Sequence, residues 1–337
     1  MMTMRTLLKA TALLAATMLT LPAAALAAPQ VAVSIKPIHS LVASVMKGIA
    51  EPGLILKGAG SPHTYQMKPT DAEMLQNAEI VFWVGPGLEK FMEKPIESLA
   101  GKAKVVELED APGLLKLPMR EGGAFEAHND GDDHHEAGGH EHEGHAEEGH
   151  NHAEAGHEDH DGHEHGEHDA HIWLNTTNAK LLAKEIAAGL SEVDPANAPR
   201  YAANLASLEG QLDSLSTEIK ATVAPVKDKP IVVFHDAYQY FEKEFGIRVA
   251  GSITVSPETL PGAARISEIH DKLTTLGASC VFAEPQFEPK LVNVVVEGTS
   301  AKTGTLDPEA ATLTEGPGLY FELMRSIAGS IKSCLSQ

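Results

Sequence analysis

Basic residues and cysteines are both scarce in this chain of 337 residues. It has 26 Lys and Arg against 47 Asp and Glu, so its formal net charge is −21 at pH 7. A surface of this charge repels phosphate groups, which argues against a protein that binds nucleic acid or an anionic membrane. Residues 121–169 hold 17 of the acidic residues and no Lys or Arg, so the rest of the chain is close to neutral.

Long apolar runs are also missing after residue 27. The first 27 residues have a basic start, an apolar stretch from Leu13 to Leu21, and the end Ala25-Leu26-Ala27, which is typical of a cleaved secretory signal. Read instead as a membrane anchor, the stretch is shorter than the ~20 residues that span a bilayer. No cysteine stands at the cleavage point to carry a lipid. We therefore predict a soluble, exported chain without a membrane anchor, located in the periplasm.

The two cysteines, Cys280 and Cys334, predict one disulfide bond, because an exported protein meets an oxidising compartment. Closing a loop of about 55 residues would stabilise the fold by roughly 4 kcal/mol and tie the C-terminal helix to a core strand. A metal site built on this pair is the alternative. It is less favoured, because thiols so far apart lack the short spacing of a zinc knuckle.

Histidine is the residue in excess: there are 18, and 14 of them lie between His128 and His171. They alternate with Glu and Asp, often two or three positions apart, so many overlapping chelating pairs are available. Imidazole selects zinc, copper or nickel over calcium. Ordering such a low-complexity segment costs roughly 1–2 kcal/mol per residue, so we expect 121–169 to be a disordered loop that binds metal weakly. A solvated insert without a metal role is the alternative.

Outside this loop, short apolar stretches alternate with helical patterns, which predicts α/β architecture with parallel sheets. The alternation gives an N-terminal lobe, 28–194, which contains the loop 121–169, and a C-terminal lobe, 225–337. Ile172–Leu174 is read as a further apolar strand. The other predicted strands are Val31–Ile35, Leu54–Leu56, Ile80–Val84, Val105–Leu108, Ile231–Phe234, Arg248–Gly251, Ser279–Ala283 and Thr303–Leu306.

Residues 195–224 are predicted to form one long helix that links the lobes. Its apolar residues recur at steps of 4, 3, 4, 3 and 4, namely Tyr201, Leu205, Leu208, Leu212, Leu215 and Ile219. A coiled-coil dimer is the alternative, but fewer than three heptads are too few to indicate one. We expect a spine inside a monomeric protein. Earlier in the chain, Thr70 and Glu73 predict a capping box for a helix over Pro69–Ala78.

Four candidate metal ligands stand at predicted strand ends or in the loops near them: His63, His171, His235 and Asp307. Ligands of open α/β sheets bind at the carboxyl ends of the strands. Three neutral imidazoles and one open position suit tetrahedral zinc. Each residue also has a structural interpretation, as a loop histidine, the last histidine of the His-rich loop, a buried histidine and the start of a turn, respectively.

Three other residues are candidates for a role at or near the same site. Glu284 follows a predicted strand and is a candidate acceptor that orients a histidine. His39 and His270 lie on predicted helices, where a solvated or structural role is more common.

Five motifs carry a family resemblance. They are Gly60-Ser61-Pro62-His63 with Tyr65 and Pro69, His171-Ile172-Trp173-Leu174, Phe234-His235-Asp236-Ala237-Tyr238, Phe282-Ala283-Glu284-Pro285-Gln286-Phe287 and Gly304-Thr305-Leu306-Asp307-Pro308. Together they resemble the periplasmic zinc-binding subunit of high-affinity zinc ABC importers. The resemblance covers nearly the whole chain after the signal. The acidic His-rich loop and the late cysteine pair are similar to that family as well.

The resemblance implies two parallel-sheet lobes joined by a long rigid helix, with Zn²⁺ held between them by His63, His171 and His235. Some family members place a glutamate just before the first histidine. This chain has Pro62 there, so the fourth ligand would be water or Asp307. Manganese-type relatives are expected to use a carboxylate in place of His235, and three imidazoles favour zinc. The implied partners are an ABC permease and its cytoplasmic ATPase.

Two other functions are open on the sequence. Three histidines and a water also form the centre of a secreted zinc hydrolase, for which Glu284 or Asp307 would have to act as general base. A periplasmic metal buffer would use the same ligands without a transporter. We predict the importer subunit, which is not an enzyme and carries zinc as its transported solute.

Overall fold

The computed structural model describes residues 28–120, 125, 168–254, 261–276, 279–287 and 290–336. The predicted signal 1–27 lies outside the described residues. So does the predicted loop 121–169, apart from Phe125, His168 and Asp169.

The first sheet is parallel and has four strands in the order β2-β1-β3-β4. They are β1 Val31–Val33, β2 Gly53–Leu54, β3 Ile80–Trp83 and β4 Lys104–Glu107. The helices of this part are α1 Lys36–Val45, α2 Pro69–Asn77, α3 Glu93–Leu99 and α4 Thr176–Val193. β1 and β3 are continuous apolar runs that are buried throughout, as is typical of parallel strands with both faces covered.

One helix, α5 Ala198–Val223, connects this part of the chain to the second sheet. Pro199 stands in its first turn, where a missing N–H leaves no helical hydrogen bond unmade. Its buried side chains form one stripe, Tyr201, Leu208, Leu212, Leu215, Ile219 and Val223. Because α5 packs on α1 and α4, this apolar stripe is covered from within the chain.

The second sheet repeats the first, with four parallel strands in the order β6-β5-β7-β8. They are β5 Pro230–His235, β6 Arg248–Thr254, β7 Cys280–Ala283 and β8 Lys302–Thr305. The helices are α6 Gln239–Phe245, α7 Ala263–Leu276, α8 Lys290–Val296 and α9 Leu319–Leu335. A disulfide joins Cys280 in β7 to Cys334 in α9, as predicted.

The largest apolar core is shared by the two sheets. Buried residues of β1, α1, α4, α5, β5 and α9 belong to one contiguous cluster, while the opposite face of each sheet has a smaller cluster of its own. The α/β architecture of two parallel-sheet lobes joined by a long helix is confirmed. The lobe boundaries at 194 and 225 stay predictions.

Buried hydrogen bonds also link the two lobes. The Lys36 ammonium, at the start of α1, donates to the carbonyl oxygens of Ala310 and Ala311 at 3.2 and 2.9 Å. The Tyr320 hydroxyl on α9 donates to the Trp173 carbonyl at 2.7 Å. Separating the lobes would leave these buried groups unpaired, which costs about 1–3 kcal/mol for each group that water does not reach.

Two local predictions are wrong. Ile172–Leu174 is a single turn of 3-10 helix and not a strand, because three consecutive apolar residues bury equally well in a turn and carry no period of their own. The capping box at Thr70 and Glu73 is also absent. Helix α2 begins at Pro69, whose fixed φ suits the first helical position, so the carboxylate that accepts the Lys68 N–H at 2.9 Å is that of Asp71.

Within the described part of the chain, none of the helices combines the length and the apolar character needed to cross a bilayer.

Candidate metal centre

Three histidines from distant parts of the chain meet between the carboxyl ends of the two sheets. One ring nitrogen from each of His63, His171 and His235 lies within 4.8 Å of the corresponding nitrogens of the other two. The Nε2 atoms of His171 and His235 are 3.3 Å apart. Two ligands of a tetrahedral zinc ion, with bonds of 2.0–2.1 Å, are separated by about 3.3 Å, so this pair already has the spacing of a shared ion.

Each histidine is held by a different kind of local structure. His235 is the last residue of β5 and pairs with Thr254 of β6, so the sheet fixes its backbone. His171 directly precedes the 3-10 turn, and its ring packs against the Trp173 ring at a centroid distance of 5.3 Å. His63 lies in the loop after β2, where its backbone N–H donates to the Ser61 hydroxyl at 3.3 Å.

Two of these rings are hydrogen-bonded to buried carboxylates on the side that faces away from the cluster. His171 Nδ1 donates to Asp169 Oδ1 at 2.7 Å, and His235 Nδ1 donates to both oxygens of Glu284 at 2.8 Å. A carboxylate only accepts, so the ring proton of each histidine sits on Nδ1 and the Nε2 lone pair faces the cluster. Glu284 is a candidate for this role on the sequence. Asp169 is not, because the sequence places it among the acidic residues of the predicted loop 121–169.

Burial and nearby acidic groups shift the pKa values of the cluster histidines in opposite directions. Burial lowers the pKa of His63 and of His171 well below 6.5, so both are neutral at pH 7. Burial also disfavours the charged form of His235, but the Glu284 carboxylate and other acids raise the pKa of His235 above 6.5 overall. Burial raises the pKa of Asp169 to about 7. A divalent cation in the cluster would favour the ionised carboxylate.

Asp307 lies just beyond β8 but is not brought into this cluster. Its Oδ1 accepts from the Gln286 amide at 3.0 Å and from the Glu309 N–H at 3.2 Å. Among the described residues, the group with mutually close ligand atoms holds the three histidines and no carboxylate.

The other two histidines outside the His-rich loop make structural contacts. His39 is buried and donates from Nε2 to the Pro52 carbonyl at 3.0 Å. His270 is exposed on α7 and donates to the Glu297 carbonyl at 3.0 Å.

Two parallel α/β lobes, a long connecting helix and imidazoles gathered between the sheets define a solute-binding protein of the metal-binding type. The chain belongs to the ZnuA family. The family model described as "Zinc-uptake complex component A periplasmic" matches residues 31–334.

Named relatives agree with this assignment. The high-affinity zinc uptake system protein ZnuA of Brucella suis is 53% identical over 307 residues, which cover 91% of this chain and 92% of that protein. The protein of the same name from Yersinia pestis is 37% identical, with 92% of each chain covered. The solved periplasmic zinc-binding protein TroA of Treponema pallidum is similar in fold, with a TM-score of 0.72 at 20% identity, covering 92% of this chain and 99% of that one.

Proposed function

We propose that this protein is the periplasmic solute-binding subunit of a zinc ABC importer. In this proposal His63, His171 and His235 bind one Zn²⁺, and the protein delivers it to a membrane permease driven by a cytoplasmic ATPase. The observation that carries the proposal is the convergence of the three imidazoles, two of them with Nε2 directed inward by a carboxylate on Nδ1. Family membership and the names of the relatives support it.

The donor set favours zinc. Three nitrogen ligands without a carboxylate suit Zn²⁺ better than Mn²⁺ or Ca²⁺, which prefer oxygen. We propose water as the fourth ligand in the geometry described, because Asp307 is not among the residues whose ligand atoms lie within 4.8 Å of one another. Zinc is thus the transported solute, and the protein would act as a monomer in the periplasm after removal of residues 1–27.

The zinc hydrolase is the weaker alternative, because neither of its two candidate general bases is placed at the histidine cluster. Both oxygens of Glu284 contact His235 Nδ1, and Asp307 is not among the residues whose ligand atoms lie within 4.8 Å of one another. A general base must reach the water that the metal activates. Assays on ester and peptide substrates should therefore show no turnover that depends on zinc.

The ligand assignment is tested by zinc titration of the mature protein against a competing chelator, which reports the tight site alone. His63→Ala, His171→Ala and His235→Ala should each weaken binding by more than the ~10–100-fold that follows loss of a ligand's hydrogen-bonding partner. His270→Ala removes an exposed histidine and is the matched control, with unchanged affinity expected. Equal affinities for all four variants and the parent protein would exclude this site.

The transport role requires a second test in cells. A strain that lacks the gene should grow poorly when zinc is chelated, and the parent gene should restore growth while the His235→Ala gene should not. Normal growth of the deletion strain would favour the metal buffer.

A further inference from the structure

A single arginine at the edge of the cluster joins the two lobes. Arg120 donates from Nε to Asp236 Oδ2 at 2.9 Å and from Nη1 to Glu242 Oε2 at 2.7 Å, and its Nη2 donates to Asp236 Oδ1. The Asp236 side chain is 7% exposed, and those of Arg120 and Glu242 are 22% and 23% exposed. Two-pronged guanidinium–carboxylate pairs with little access to water are among the stronger polar contacts in proteins.

Backbone groups near Arg120 are hydrogen-bonded to side chains of the second lobe. Leu117 donates its N–H to the Tyr240 hydroxyl at 3.0 Å, and the Pro118 carbonyl accepts from Gln239 at 3.3 Å. The Asp169 N–H in turn donates to the Leu117 carbonyl at 2.8 Å. Residues 117–120 and 168–169 thus form a paired segment that lies against α6.

This paired segment contacts the neighbours of two proposed ligands. Its Asp169 accepts the hydrogen bond of His171 Nδ1, and its Arg120 holds Asp236, the residue that follows His235. Moving His235 away from His171 would carry Asp236 with it and pull against the guanidinium. Glu242 is itself held, since its other oxygen accepts the Val249 N–H at 3.1 Å.

An aromatic ring covers the arginine. The guanidinium carbon of Arg120 lies 3.9 Å from the centroid of the Phe125 ring. Such stacking adds a cation–π attraction and keeps water from one face of the guanidinium.

We infer that Arg120 is a latch that holds the lobes together over the bound ion and sets how fast the ion leaves. The inference rests on the proposed function. Arg120 touches no metal in this account; it acts by restraining Asp236 and Glu242, and therefore affects release more than capture.

The test is stopped-flow release of zinc from the loaded, full-length protein into excess EDTA. Arg120→Met should raise the dissociation rate by roughly tenfold or more, because it removes three charged hydrogen bonds that have little access to water. The tight site should still bind one ion, and the association rate should not fall. Arg325→Met is the matched control, because it removes the exposed pair between Arg325 and Glu218 away from the cluster; its release rate should stay within about twofold.

Two further variants separate a latch from a purely structural role. Arg120→Lys keeps the positive charge but not the paired hydrogen bonds of the guanidinium to Asp236, and it should release zinc at an intermediate rate. Glu242→Gln should raise the rate less than Arg120→Met, and the double variant should show less than the sum of the two effects, because both changes break one contact.

Several outcomes would overturn the latch. Release from Arg120→Met at the rate of the parent protein, or acceleration equal to that of Arg325→Met, would exclude it. If Arg120→Met fails to fold, unchanged release from both Arg120→Lys and Glu242→Gln excludes it as well. Absence of a tight zinc site in the parent protein would instead contradict the proposed function.

Discussion

The carboxylate that accepts from each of two histidine rings determines which ring nitrogen faces the cluster. His171 and His235 each lie between a buried carboxylate on Nδ1 and the cluster on Nε2, so neither ring can turn over without breaking a charged hydrogen bond. Partners of this kind raise the basicity of the ligand and fix its tautomer.

The Glu284→Gln substitution should therefore weaken zinc binding by roughly 10–100-fold while the protein stays folded. The amide oxygen can still accept from Nδ1, but the negative charge that supports His235 is lost. Chelator-competition titration measures the change. Glu268→Gln, at an exposed glutamate that pairs with Lys272, is the control and should leave affinity unaltered. An unchanged affinity for Glu284→Gln would show that the charge of Glu284 does not support the ligand.

The affinity for zinc should fall as pH falls, because His235 becomes protonated. Its pKa lies above 6.5, whereas burial keeps His63 and His171 neutral to lower pH. As pH falls below about 7, protons on His235 and on Asp169 both compete with zinc, so the affinity should drop by about tenfold or more per pH unit, and more steeply still when the other two rings protonate. Zinc isotherms between pH 7.5 and 5.5, with proton release measured by calorimetry in two buffers, report this slope. A flat profile would contradict coordination by these imidazoles.

The three histidines and Glu284 could be predicted from the sequence, because each stands beside a strand end or a loop near one. Asp169 could not be distinguished from the 16 other acidic residues of 121–169, since its role depends on the chain folding back at Leu117. A carboxylate two residues before a candidate ligand histidine is the only local signal of its role.

Two helical glycines, one on α4 and one on α5, differ in the space around them. Gly210 lies on α5 with nothing within 4 Å of the position that a Cβ would take. At Gly189 on α4 the same atom would lie 3.1 Å from Ile80 Cδ1 and 3.3 Å from Val106 Cγ2. The glycine at 189 therefore allows α4 to approach the first sheet closely, and the glycine at 210 has no such role.

Gly210→Ala should stabilise the fold by about 0.5–1 kcal/mol, because alanine is the better helix former and meets no obstacle. Gly189→Ala should show no gain or a loss, since the added methyl group presses on β3 and β4 and offsets that benefit. Denaturant unfolding of the two variants beside the parent protein measures the difference. Equal stabilisation by both substitutions would contradict this account of α4.

Most predicted strands agree with the structure to within one or two residues at each end. β6 is longer than predicted, because Gly251 was read as the end of the strand. Ser252 and Thr254 continue it as buried residues, and Thr254 pairs with His235. Glycine is uncommon inside strands and often marks a break between elements, so the sequence pattern placed the end of the strand at Gly251.

The two sheets share one core through helices that are distant in sequence. The N-terminal α1 and the C-terminal α9 both pack on α5, so the lobes do not have the separate cores that their sequence patterns suggest. Contacts between such distant helices leave no local period, and no single segment could have predicted them.

Removal of the His-rich loop should separate tight from weak metal binding. Pro118 pairs with His168, so the chain leaves and re-enters the fold at neighbouring points, and deletion of 126–166 should be tolerated. The variant should keep one tightly bound zinc and lose the additional weak ions, as counted by equilibrium dialysis. Unchanged total stoichiometry would contradict metal binding by the loop.

A second deletion provides the control. The loop was predicted to extend to 169, but Asp169 supports His171. Extending the deletion through Asp169 should therefore weaken the tight site as well, by roughly 10–100-fold. Equal affinity of the two deletion variants would show that Asp169 is dispensable.

The division of the proposed ligands between two halves of the chain has a kinetic consequence. One half supplies His63 and His171 and the other supplies His235, so neither half could complete the proposed ligand set alone. Two separate halves would have to associate before they could bind an ion, and the fraction that binds would fall on dilution. Fusion through α5 turns that encounter into an intramolecular one, so each molecule can scavenge metal however few copies the cell makes.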